Sequence, residues 1–142
     1  SYASTADITR RYPDALDDSA PRDSNGALDA AAIDSALTYA DALIDGRLAV
    51  RFGTAAVPVP APVPPALIDL AVDLALHKLL TGLAYTEERQ KRHDAALARL
   101  DRIASGREEL IGLAQPATGA AVGQVRVAGP GRVFSRTKLR DW

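Results

Sequence analysis

One stretch leaves this chain little choice of architecture. From Ala66 to Thr81 the residues have the composition of a helix, with Leu67, Ile68, Leu70, Val72, Leu74, Leu76, Leu79 and Leu80 spread over nearly every face. A helix of that kind has no side to offer to water, so other elements must enclose it. Its start is marked by Pro65, a residue suited to the first helical position, and Gly82 stands beyond its end. A small all-α bundle built round this helix is the expected fold, and 142 residues are enough to bury a single core. The apolar share is 47%, but much of it is alanine and valine and only 5% of residues are aromatic. A core of small side chains suits helices that approach closely.

About four helices supply that bundle. Ser4 or Thr5 caps a short helix over roughly 6–12, which Pro13 ends. Residues 13–28 read as a loop. Asp29 caps a long helix reaching about Phe52, with Ile33, Leu37, Ala40, Ile44 and Leu48 as its buried stripe and Gly53 as its stop. Thr86 caps a helix to about Ser105, whose inner face is His93, Ala96, Leu97, Leu100, Ile103 and Ala104; a shorter helical turn follows near 108–113. Residues 57–65 hold five of the nine prolines and read as a stiff, extended polyproline II spacer. The helical body is therefore expected over residues 1–116.

The remainder, 117–142, breaks the helical pattern. Gly119, Gly123, Gly129, Pro130 and Gly131 interrupt it, and between them lie strand-like pieces at 125–127 and 132–136. Disordered tails are poor in large apolar groups. This one carries Val125, Val127, Val133, Phe134, Leu139 and the sole tryptophan, Trp142, interleaved with Arg126, Arg132, Arg136, Lys138 and Arg140. It reads as an extended docking tail, with Arg132, Val133, Phe134, Arg136, Lys138, Leu139, Arg140 and Trp142 as its partner-binding residues. The net charge of −1 argues against a general polyanion binder, yet the charge is polarised. Residues 1–45 carry nine Asp against three Arg, and residues 124–142 carry five bases against Asp141. One end of a copy is suited to attract the other end of its neighbour.

Chemistry is not signalled. Asp23, Asn25 and Gly26 match part of a calcium loop, but the same register puts Pro21 and Ala32 where the strongest ligands belong, so an Asx turn before Asp29 is the preferred reading. Asp69, Asp73 and His77 share one ridge of the central helix without partner ligands from a second segment. They read as its polar edge, with Asp73 paired to Arg47 or Lys78. No cysteine is present, no Ser–His–Asp arrangement is apparent and no glycine-rich phosphate loop follows a strand. No catalytic residue, metal or cofactor is expected. Neither a membrane span nor a basic-then-apolar leader is recognised, so the expected product is a soluble protein made in the cytosol.

The order of pieces resembles the small gp36-like proteins of Mu-like phages and prophages. The matching residues are Ser1-Tyr2-Ala3 leading into Ile8-Thr-Arg-Arg-Tyr12, the Asp/Asn/Gly turn before Leu28-Asp29, and Ala40-Asp-Ala-Leu-Ile-Asp-Gly-Arg-Leu48. They continue through the Val63-Pro-Pro65 entry, Asp73, Glu87-Glu-Arg, Arg92-His-Asp-Ala95 and the closing Arg132-Val-Phe-Ser-Arg136 with Leu139. His93 stands where an aromatic such as tyrosine is expected, a departure that bears on packing. The resemblance implies a virion protein of the neck: a non-enzymatic head–tail connector or adaptor, forming a homo-oligomeric ring between the portal and the tail. Its neighbours would be the portal protein and a tail terminator or other neck protein, with packaged DNA passing through the ring. The alternative is a nucleic-acid-associated regulator whose basic tail contacts DNA. A third reading is a small host adaptor that offers its proline segment as a ligand.

Overall fold

The computed structural model describes residues 1–79 and 86–113. Five α-helices occur among them: α1 (Thr5–Arg11), α2 (Ala15–Ser19), α3 (Ala30–Phe52), α4 (Pro65–Leu79) and α5 (Glu87–Ala104), with a 3-10 turn at Thr54–Ala56. The described residues contain no strand, only an isolated antiparallel bridge between Arg22 and Leu28. The tail residues 117–142 lie outside the described set, as do Leu80, Thr81 and Gly82.

Three helices form the body. α3, α4 and α5 all pack on one another, most extensively α3 on α4, and α1 lies across α4 with α2 beside it. The α3 stripe is buried as its spacing requires: Ile33, Ala36, Leu37, Ala40, Ile44 and Leu48. Asp29 accepts from the Ala32 N–H at its start, and Gly53 (φ +83°) supplies the left-handed residue at its end. In α4, eight of fifteen residues are buried, on more than one side. α5 contributes Ala96, Leu100 and Ile103.

The structure departs from the sequence reading at three places. The loop 13–28 contains α2, a single turn and a half that buries Leu16 against the core; Pro13 ends α1 but does not prevent the chain from turning again. Of residues 108–113, where a helical turn is expected, only the last four form a turn, closed by the Leu113 N–H on the Leu110 carbonyl. The proline segment does not stand off as an extended spacer. Val59 is buried in the core and Pro64 is buried beside the start of α4, with the Val57–Pro58 and Ala61–Pro62 bonds cis.

Leu74 has no exposed surface. Replacing it with alanine leaves a cavity between α4 and its neighbours, and Leu74→Ala is expected to lower unfolding free energy by about 2–5 kcal/mol. Urea denaturation checks this; a loss below about 1 kcal/mol would mean that α4 is not the enclosed element.

Candidate functional site

Three local constructions determine what the surface offers. The first is at Tyr2, which the sequence reading left without a role. Its backbone N–H donates to Asp41 Oδ1 at 2.8 Å, its hydroxyl donates to Asp45 Oδ1, and the same hydroxyl accepts the Val59 N–H at 2.8 Å. The residue is 5% exposed. Burial and the Asp45 hydrogen bond push its phenol well above the ordinary tyrosine range. One ring thus ties α3 to the proline segment. A sequence signal existed: Asp41 and Asp45 are one helical turn apart on α3, with Asp41 half-buried on its flank.

The second is the polar edge of α4. Asp69 and Asp73 are both held by Arg11 of α1, and Asp73 also accepts the Tyr12 hydroxyl at 2.8 Å. The expected partners of Asp73 were Arg47 or Lys78. Arg47 instead pairs with Asp101 on α5, because α1 crosses α4 at the acidic ridge and brings its own guanidinium there. Burial of Arg11 opposes its charge, but the hydrogen bonds it donates to Tyr12 and Asp69 and the nearby Asp73 outweigh that. The Tyr12 ring has Arg92 at 5.0 Å and Arg11 at 5.6 Å from its centroid, both in cation–π range. Next along the ridge, His77 meets Gln90 at 3.1 Å and stacks on His93, ring centroids 3.8 Å apart and 21° from parallel. His93 therefore serves as a flat packing ring between α4 and α5. A cleft of about 60 Å³ lies among Tyr12, Asp73, His77, Arg89 and Arg92. Both oxygens of Asp73 are engaged, so the ridge works as an interlock for α1.

The third holds the end of α5. Arg51 Nη1 donates to the carbonyls of Ile103 (2.8 Å) and Glu108 (3.2 Å), satisfying a helix C-terminus with a cation. Glu108 accepts from Arg99 at 2.7 Å and Arg102 at 3.2 Å, which holds its carboxyl below the usual carboxylate range. Gly106 (φ +78°) makes the reversal. Leu110 is buried as a result, while Ile111 is left 91% exposed.

Ile111 lies at the side of a wide groove. This groove of about 770 Å³ runs between Ala55–Pro65 and Ile111–Leu113, walled by Pro58, Pro60, Pro62 and Pro64. Nothing in it ionises. The Asp23 loop, by contrast, is an Asx turn: Asp23 Oδ1 accepts the Asn25 and Ala27 N–H groups at 2.8 and 2.9 Å. Among the described residues no group of three or more His, Asp or Glu side chains is placed to hold a metal ion, and no helix is long and apolar enough to cross a membrane. The eight predicted partner-binding residues, Arg132 to Trp142, lie outside the described residues.

These features define a small helical protein with polar ridges that interlock its own elements and one open apolar groove. The chain belongs to the family described as Bacteriophage Mu, Gp36, whose model matches residues 2–128, nearly its full length. It is a protein of the bacteriophage class on that ground. No curated protein matches the chain.

Two outcomes test these constructions. Tyr2→Phe removes the hydroxyl and strands the buried Val59 N–H, so a loss of about 1–3 kcal/mol is expected in chemical denaturation. For Glu108 the folded pKa lies below its unfolded value of 4.5. Its stabilisation is therefore present above pH 4.5 and lost as pH falls through the folded value. Glu108→Gln should flatten the fall in melting temperature below pH 4.5 relative to the parent chain; an unchanged acid profile would mean that the Arg99 and Arg102 pairs contribute nothing.

Proposed function

We propose that the protein is a non-enzymatic structural component of the phage neck, a head–tail connector or adaptor whose copies form a ring between portal and tail. One observation carries the reading: a chain of the Mu Gp36 family presents an apolar, proline-walled groove with an exposed isoleucine at its rim. Contiguous exposed apolar surface of this kind marks a contact with another macromolecule. The polar clusters support the same reading, since Arg11, Asp69, Asp73, Arg47 and Asp101 are spent on joining helices. The tail residues 117–142 add aromatic and basic groups of the sort that concentrate interface energy. In this role the portal and a tail terminator or other neck protein are the neighbours, and packaged DNA passes through without sequence-specific contact.

Deleting residues 117–142 tests the assignment. The expected result is a body that melts as before but no longer enters heads or connectors. Phe134→Ala and Trp142→Ala should each weaken assembly by about 1–4 kcal/mol, and charge removals at Arg136 or Lys138 by less, with an effect that shrinks in salt. Normal incorporation of the truncated chain would mean that residues 117–142 are not the docking element; absence from particles together with strongly salt-dependent binding of duplex DNA by the intact chain would favour the regulator reading.

A further inference from the structure

The connector reading leaves the proline-walled groove without an occupant. Proline rings have no rotamer freedom to lose and present flat apolar faces, so the groove is preorganised for an aromatic or aliphatic side chain. One end of it adjoins an acidic cleft that Pro58 and Val59 share with Ser1, Tyr2, Asp41 and Asp45; both half-buried carboxylates there accept from Tyr2, and Asp41 lies 3.8 Å from the Ser1 amino group. The other end is formed by Ile111, Gly112 and Leu113, immediately before residues 114–142. Those residues close on Arg132-Val133-Phe134-Ser135-Arg136 and Leu139 to Trp142, apolar groups set among bases. Groove and segment are thus complementary in both shape class and charge.

We propose that the groove receives residues 132–142 of a second copy of this chain, with Phe134 and Trp142 against the proline faces and Arg132 and Arg136 toward Asp41 and Asp45. The proposal rests on the connector reading. Reach permits it: the residues 114–131 span at most about 60 Å, against a diameter of about 35 Å for a body of this size. Docking on its own groove closes each copy on itself. Docking on the next gives one segment per groove and a head-to-tail contact that repeats about an axis.

Trp142 is the only tryptophan, so its emission reports the occupant directly. The full chain is diluted while sedimentation and Trp142 emission are followed together, beside the full-length Ile111→Asp and Phe134→Ala variants. Ile111 is so exposed that its replacement leaves the fold intact, which thermal melting verifies. The expected result is association accompanied by a blue shift of emission, both weakened about tenfold or more in either variant and both weakened by salt. Mixing the two variants should restore association in part, because the tail of the Ile111→Asp chain meets an intact groove on the Phe134→Ala chain.

A blue-shifted emission that is independent of concentration and lost in Ile111→Asp would overturn the proposal in favour of the chain's own tail. Association and emission unaffected by Ile111→Asp would overturn it in favour of another surface. Incorporation into phage particles is scored separately. Association that depends on Ile111, in a chain absent from particles, would keep the groove contact and refute the connector reading.

Discussion

Everything else in the molecule is arranged round the burial of α4. A fifteen-residue helix with apolar groups on most faces is unstable in water, and only enclosure makes it favourable. α3 covers it along a continuous stripe, α5 along a second line, and α1 with α2 at the remaining flank. The polar residues α4 does carry are gathered on one ridge, Asp69, Asp73 and His77, and that ridge is where the smaller elements are attached. Removal of the leucines would therefore take away the platform on which the Arg11 and Tyr12 contacts are built.

The periodic part of this arrangement was legible in the sequence. The five positions expected to form the α3 stripe are all buried, and the caps at Asp29, Thr86 and Gly53 act as their residue types dictate. Spacing within one helix is local information, and local information survives in a string of letters. Pairing between elements does not. Tyr2 finds Asp45 across 43 positions and Val59 across 57, and Arg11 finds Asp73 across 62; no period links such positions, so the sequence offers Arg47 or Lys78 for Asp73 and does not point to Arg11. The short α2 escaped for a related reason. Five residues carry too little pattern to outweigh a neighbouring proline, and the burial of Leu16 is decided by tertiary packing.

The proline segment illustrates how a compositional rule is overridden. Alternating prolines favour an extended rod when nothing else acts on them. Here two attachments act: the Val59 N–H is taken by a buried hydroxyl, and the Val59 side chain enters the core. The rings that remain outside become the wall of a groove. The segment is therefore an exposed apolar face and not a spacer that separates two helices, whereas the partner-binding residues between 132 and 142 are defined by sequence alone.

The Arg51 clamp has a mechanical consequence. Tension applied to the chain beyond Leu113 is first borne by the buried Leu110, by Glu108 with its two arginines, and by the guanidinium that grips the Ile103 and Glu108 carbonyls. Arg51 belongs to α3, so the chain that follows α5 is tied to that helix as well as to α5 itself. The end of α5 is thereby held against fraying by a side chain from α3 and by the turn that follows it.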